Sequence, residues 1–322
     1  MRAPWVAFGY GVLLALLVTG CGGPDAGGED SPVGEEDQLR VVASFYPLAA
    51  AAEQVGGEHV QVNNLTPAGA EPHDLELDPQ QTEELLQAAV AVIMGRGFQP
   101  AVERTTSQRQ GVTVEILRAL PISQYGEVTA EEHGHDSAGT EPATEPTGLD
   151  PHVWLDPLLM ADAADRVAEA LAQVAPTNAS DFRARARTYR AELATLHSDY
   201  EQGLATCQRS EIVTAHEAFG WLAKRYNLQQ LGIAGISPEA EPDPRRLAEL
   251  AALVRREGAT TIFTEALVSP AIAETLARET GVRTAVLNPL EGLTEDEVAR
   301  GATYVSVMRD NLAVLREALG CA

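Results

Sequence analysis

Basic residues are scarce in this chain: 23 lysines and arginines face 47 aspartates and glutamates over 322 residues, a formal charge of −24. General nucleic-acid binding rests on a basic surface that releases counterions, so this balance excludes it. Cysteine is scarcer still. The three present, Cys21, Cys207 and Cys321, cannot build a disulfide framework, and no two stand at zinc-ribbon spacing, so any metal chemistry falls to histidine and carboxylates. Also missing are a nucleophile elbow, a phosphate-binding glycine loop, a dinucleotide fingerprint and the helical His-Glu-x-x-His pattern of metalloproteases. What is there starts with a hydrophobic fraction of 45%, which excludes disorder throughout. The length exceeds what one ordinary domain needs, so two are expected.

Residues 1–20 carry one charge, Arg2, followed by an apolar run through Val12, Leu13, Leu14, Leu16, Leu17 and Val18. This reads as a secretory signal, too short for a comfortable transmembrane helix, and no later segment is long enough to span a bilayer. Val18-Thr19-Gly20-Cys21 resembles a bacterial lipobox, in which Cys21 becomes the lipidated first residue of the mature protein. The Gly-, Asp- and Glu-rich stretch over 21–38 suits a flexible tether. An exported chain meets an oxidising compartment, where Cys207, ahead of a predicted strand, and Cys321, after the last predicted helix, form a disulfide; two buried thiols are the alternative.

From residue 39 onward, short apolar runs alternate with helical patterns. Predicted strands are Val41–Phe45, Val60–Leu65, Val90–Met94 and Val112–Leu117, then Glu211–Ala215, Leu228–Ile233, Thr260–Thr264 and Arg283–Leu287. Helical segments over Ala218–Tyr226, Pro244–Glu257 and Pro270–Thr280 separate the second set. Continuous apolar strands alternating with helices predict an α/β fold: two similar lobes, each a four-stranded, mainly parallel sheet flanked by helices. The stretch Asn178–Leu204, rich in Ala, Arg, Glu and Leu and free of proline, predicts one helix roughly 40 Å long joining them. The expected organisation is therefore an N-terminal lobe over 39–177, a rigid linker helix over 178–206 and a C-terminal lobe over 207–322. Within the first lobe, 127–148 reads as an acidic loop, where His133 and His135 either bind metal transiently or serve no purpose.

The placement of the histidines matters more than their number. His73 lies in the loop after the second strand, His152 in Asp150-Pro-His-Val-Trp-Leu-Asp-Pro, and His216 directly after the fifth strand. Ligands in open parallel sheets bind beyond the carboxyl ends of the strands. Three neutral imidazoles make a borderline-soft site suited to zinc, which an oxygen ligand closes as a tetrahedron. His59 and His197 fall on a turn and a helix surface and receive no role. Trp154, Phe219 and Trp221 flank the histidine motifs, either walling off a site or filling the core.

Across nearly the whole mature length the chain resembles the solute-binding lipoproteins of bacterial zinc and manganese ABC importers, the cluster A-I or cluster 9 family. The motifs are Glu71-Pro-His73-Asp, Asp150-Pro-His152-Val-Trp-Leu-Asp-Pro, Thr214-Ala-His216-Glu-Ala-Phe-Gly-Trp-Leu, Gly235-Ile-Ser-Pro-Glu-Ala-Glu-Pro-Asp-Pro, Ile262-Phe-Thr-Glu265 and Leu287-Asn-Pro-Leu-Glu291, in the family's order. The resemblance implies that His73 and His152 from one lobe and His216 from the other bind a single metal ion between the lobes. Manganese-binding relatives usually carry a carboxylate where this chain has His216, which favours zinc. Many relatives use an aspartate at the place of Asn288, whereas a zinc-binding subgroup carries Asn-Pro-Leu-Glu and uses the glutamate. Glu291 is therefore the expected fourth ligand, with water, Glu71 or Glu265 as alternatives; Glu71, Glu265 and Asn288 otherwise support the ligands from behind.

The function so implied is capture of zinc outside the cytoplasmic membrane and delivery to an importer permease, by a monomer anchored through Cys21 on the outer face of the membrane or in the periplasm, with no enzymatic activity. A manganese receptor and a metal-binding surface adhesin on the same scaffold are the alternatives. A secreted zinc hydrolase, which needs an open coordination position, fits less well.

Overall fold

Strands and helices begin where apolar runs meet helix-starting residues in the computed structural model, which describes residues 38–125, 149–238 and 244–322. The proposed signal, Cys21, the tether up to residue 37, and His133 and His135 lie outside the described residues. In the N-terminal lobe, strands β1 (Leu39–Ala43), β2 (Val60–Asn64), β3 (Val90–Ile93) and β4 (Val112–Glu115) alternate with helices α1 (Tyr46–Gly56), α2 (Pro79–Gln87) and α3 (Pro100–Thr106). Two short helices, α4 (Ile116–Ala119) and α5 (Ile122–Tyr125), then α6 (Pro157–Val174) and the long α7 (Ala179–Leu204), lead to the second lobe. There β5 (Glu211–Thr214), β6 (Gln229–Gly232), β7 (Thr261–Thr264) and β8 (Arg283–Val286) alternate with α8 (Gly220–Arg225), α9 (Pro244–Glu257) and α10 (Ala271–Thr280), and α11 (Glu295–Ala299) and α12 (Tyr304–Leu319) close the chain.

Both sheets are entirely parallel and share one order, β2-β1-β3-β4 and β6-β5-β7-β8. The order reverses beside β1 and β5, and loops on either side of such a reversal diverge and open a crevice at the carboxyl ends of the strands. The two lobes are the predicted α/β halves. One difference lies at Ile116 and Leu117, expected to end a strand but buried in the first turn of α4. A short buried apolar run reads alike as strand or helix, so periodicity could not separate the two there.

Helix α7 earns its length by facing both lobes. Phe182, Ala186, Tyr189, Leu193, Leu196, Tyr200 and Leu204 recur every three or four residues and are all buried, a continuous seam along one side. Its first half lies along α6, with Arg190 bridging to Asp162 and Asp165 at 2.6 Å. Toward its end the Tyr200 hydroxyl donates to the Met308 carbonyl of α12 at 2.6 Å. Beyond α7, a disulfide joins Cys207 to Cys321, tying the start of the second lobe to the carboxyl terminus.

Among the described residues, side chains of Trp154, Tyr304, Trp221 and Arg225 make polar contacts near the crevice that cross between the lobes. The Trp154 indole donates to the Pro289 carbonyl at 2.7 Å, the Tyr304 hydroxyl to the Trp154 carbonyl at 2.5 Å, and the Trp221 indole to the Asp150 carbonyl at 2.9 Å. Arg225 of α8 meets Asp156 at 2.6 Å, while the same carboxylate group caps α6 by accepting from Leu158 N–H. Asp156 and the indoles are buried, so these contacts are poorly screened and fix the two lobes against each other. Among the described residues, no helix is long and apolar enough to cross a membrane.

Candidate metal centre

Each predicted histidine is delivered to the crevice by a short loop with its own internal brace. His73 and His152 both sit two residues after an acid, in Glu71-Pro-His73 and Asp150-Pro-His152. In each the upstream carboxylate accepts the histidine backbone N–H, at 3.0 Å from Glu71 and 2.9 Å from Asp150, which folds the tripeptide back on itself. His216 follows β5 by two residues, and its backbone carbonyl takes the Thr214 hydroxyl at 2.6 Å. Glu291 lies in the loop after β8, behind Leu290, whose φ of 59° is left-handed. That conformation costs a non-glycine residue about 1–2 kcal/mol and must be held by its neighbours.

The four side chains converge. Nε2 of His73, His152 and His216 stand 3.1, 3.2 and 3.1 Å from one oxygen, Oε1 of Glu291. One donor atom from each of the four lies within 4.8 Å of all the others. Around tetrahedral zinc with bonds of about 2.0–2.1 Å, neighbouring donors are about 3.4 Å apart, so the spacing fits a small cation at the centre. His152 and His216 are fully buried and Glu291 is 1% exposed, whereas His73 keeps 9% exposure and marks the side that opens to solvent.

The protons decide what this cluster is for. Nδ1 of His152 faces Asp150 at 2.6 Å, and Nδ1 of His216 faces both oxygens of Glu265 at 2.8 Å. A carboxylate only accepts, so both Nδ1 atoms carry hydrogen and both Nε2 atoms of the neutral rings present lone pairs to Glu291. Lone pairs facing a carboxylate oxygen repel unless a cation or a proton sits among them. The donor set therefore fits a metal ion, and three imidazoles with one carboxylate suit zinc better than manganese, which favours oxygen.

Without metal, protons take that place. Burial opposes charge on His216, yet the Glu265 and Glu291 carboxylates outweigh it and hold its pKa well above the usual value. Burial likewise opposes charge on His152, and Asp150 with Glu291 raises it. For His73 burial wins and the pKa falls. Burial also works against the charge of Glu291, but the three imidazoles keep its pKa well below the normal range. Glu71, 3.7 Å from His73 Nε2, is pushed up to about 7 by burial and by the charge of Glu291.

Behind the histidines stands an aromatic wall. The Phe98 ring lies 4.6 Å from His73, Trp154 5.0 Å from His152, and Phe45 packs on both Phe98 and Trp154 at 4.9 and 4.8 Å. Of the three aromatics singled out from sequence, Trp154 lines the site, Trp221 reaches it through the Asp150 carbonyl, and Phe219 is buried in the main core. Sequence reasoning gave no role to Asp150, Phe45, Phe98 or Gln99, whose amide donates to the Pro72 carbonyl at 3.1 Å beside His73. The repeated acid-Pro-His tripeptide was the available signal for Asp150. Glu265 stands behind His216 at Nδ1, Glu71 lies beside His73 on the Nε2 side, Asn288 supports the Glu291 loop, and His59 and His197 lie away from the centre, beside Asp181 and Glu201.

Fold and site together define a two-lobed α/β binding protein with a buried cation site in the crevice between its sheets. The chain belongs to the family of zinc-uptake complex component A, periplasmic, whose model matches residues 41–318. It is 32% identical over 307 residues to the high-affinity zinc uptake system protein ZnuA of Bacillus subtilis, covering 94% of each chain. It is 34% identical over 290 residues to zinc-binding protein AdcA of Streptococcus pyogenes, covering 87% of this chain but 56% of that one, so it spans little more than half the length of such relatives. The solved structure of the laminin-binding protein Lmb of Streptococcus agalactiae, titled a bifunctional protein with adhesin and metal transporting activity, superposes with a TM-score of 0.74 at 29% identity over 87% of this chain and 99% of that one.

Proposed function

We propose that this chain captures zinc outside the cytoplasmic membrane and releases it to the permease of an ABC importer, with His73, His152, His216 and Glu291 as the four ligands. One observation carries the reading: three Nε2 atoms converge on a single Glu291 oxygen in a buried crevice. Support comes also from relatives named for zinc uptake and zinc binding. Occupation of the fourth position by Glu291 leaves no open place for a catalytic water, which argues for a receptor rather than a hydrolase. The contacts between the lobes and the shared helix α7 favour release by movement of the His216 and Glu291 loops over a wide hinge opening.

The lipobox-like segment supports anchoring through Cys21 on the outer face of the membrane, as a monomer. The domain division at 39–177, 178–206 and 207–322 accompanies this reading, with the loop over 127–148 as an accessory to metal acquisition. Titration of the full chain with zinc in competition with manganese tests the proposal. One zinc per chain, preferred over manganese and bound much more weakly in His216→Ala, supports it; manganese preference overturns it. A second reading, adhesion to an extracellular matrix protein, is favoured by the likeness to a laminin-binding structure, and laminin binding that persists with the zinc site destroyed would support it.

A further inference from the structure

We propose that Asn288 is a positioning residue for the Glu291 carboxylate, and that Glu297 is what requires an amide rather than an acid at that place. The inference rests on the reading of Glu291 as a metal ligand. It concerns how that one carboxylate is aimed, since Glu291 follows a left-handed residue in a loop, where nothing in the regular structure fixes its direction.

Asn288 is buried, and each polar atom of its side chain and backbone makes a hydrogen bond of fixed direction. Its Oδ1 accepts the Leu290 N–H at 2.7 Å, the turn that holds Leu290 left-handed and turns Glu291 toward the histidines. A backbone N–H only donates, so the oxygen of the amide must face Leu290. The nitrogen then faces the other way, and it donates to Glu297 Oε1 at 3.0 Å. A carboxylate only accepts, so the orientation of the amide is determined from both ends. The Asn288 backbone is clamped as well: its N–H donates to Asn311 Oδ1 at 2.9 Å and its carbonyl accepts from Asn311 Nδ2 at 2.7 Å.

Glu297 is itself held by hydrogen bonds. Its second oxygen accepts from the Thr294 N–H at 2.8 Å and the Thr294 hydroxyl at 3.0 Å, and the Thr294 hydroxyl oxygen accepts the Glu297 N–H at 3.2 Å, a reciprocal cap at the start of α11. The relay therefore runs from the α11 cap through Glu297 and Asn288 to the Leu290 backbone and the Glu291 carboxylate. An aspartate at 288 would keep the acceptor for Leu290 but set a second carboxylate against Glu297. To escape it the side chain must turn, and the bond that holds Leu290 is lost. A glutamine at 297 keeps the oxygen that Thr294 needs, because this cap is made equally by Glu or Gln, but offers an N–H where the amide of Asn288 also offers one. Either single change leaves like groups facing; both together restore a donor opposite an acceptor with the polarity reversed.

The test is a swap in the full chain: Asn288→Asp, Glu297→Gln, the double variant, and Glu291→Ala in parallel, each titrated with zinc against a competing chelator well below its melting temperature. Loss of an outer partner to a ligand weakens metal binding about 10- to 100-fold. Asn288→Asp is expected to lose zinc affinity in that range, Glu297→Gln about threefold to tenfold, and the double variant to return to within about threefold of the parent. A merely structural role would lower the melting temperature of the metal-free protein without moving its affinity for zinc. Unchanged or tighter zinc binding in Asn288→Asp, or a double variant no better than that single one, overturns the proposal. Should Asn288→Asp fail to fold, Glu297→Gln and the double variant carry the same comparison. If Glu291→Ala binds zinc as the parent does, the ligand assignment falls first. If Glu291→Ala loses zinc while Asn288→Asp does not, only the relay falls.

Discussion

Zinc must displace protons from this site, and the structure sets where in pH that competition is felt. Acidic partners raise the pKa of His216 well above its ordinary value and raise His152 too, whereas burial lowers that of His73. A free imidazole with a pKa near 6.5 would let affinity fall only below that value. Here His216 stays protonated to higher pH, so the fall begins above 6.5 and steepens as His152 joins. Each displaced proton costs about 1.4 kcal/mol per pH unit, about tenfold in the dissociation constant, so with two protons the loss approaches about a hundredfold per unit. The assay is a chelator competition at pH 8, 7 and 6, with calorimetry in buffers of differing ionisation heat to count the protons released. A loss of at least about tenfold between pH 7.5 and 6.5 is expected. Affinity flat from pH 8 to 6 would refute the reasoning, as would a fall confined to pH below 6.

Three further outcomes follow from the same geometry. In the metal-free protein, the raised pKa of His216 contributes stability that is full below the unfolded value and lost as pH rises through the folded one. The depressed pKa of Glu291 contributes stability above its unfolded value that is lost as pH falls through the folded one. Thermal melts of metal-free protein should therefore peak on the mildly acidic side, and excess zinc should move the peak upward; a metal-free optimum above pH 8 would contradict this. Glu265→Gln removes the charge behind His216, and zinc titration should give a dissociation constant about 10- to 100-fold weaker, with an unchanged value counting against a role for that carboxylate. Cys207→Ser opens a loop spanning a sequence separation of 114 residues and should destabilise the protein by about 3–5 kcal/mol in urea titrations while zinc affinity well below the melting temperature stays within about threefold.

The lobes were legible because buried parallel strands write themselves as short apolar runs, and eight of these appear at strand length between helical patterns. Boundaries were less so: Ile116 and Leu117 are as apolar in a helix turn as in a strand, and only tertiary packing separates the two. The histidines stood out because each follows a strand or a distinctive Pro-bearing turn. Glu291 came through the family motif rather than through any local signal, since a glutamate five residues beyond a strand has no pattern of its own. The supports were the least readable. Phe98 and Glu297 act from other elements, at separations that sequence periodicity does not encode, whereas Asp150 sits two residues from His152 in a tripeptide that repeats the pattern at His73.

The central claim is a zinc ion held by three imidazoles and one carboxylate in the crevice between the lobes. X-ray absorption at the zinc edge, on the full chain loaded with one equivalent of zinc, addresses it directly. The account predicts four light-atom neighbours at about 2.0–2.1 Å with the multiple-scattering signature of three imidazoles, falling to two in His216→Ala. Six oxygen neighbours at longer distance, or a spectrum unchanged by that substitution, would contradict it.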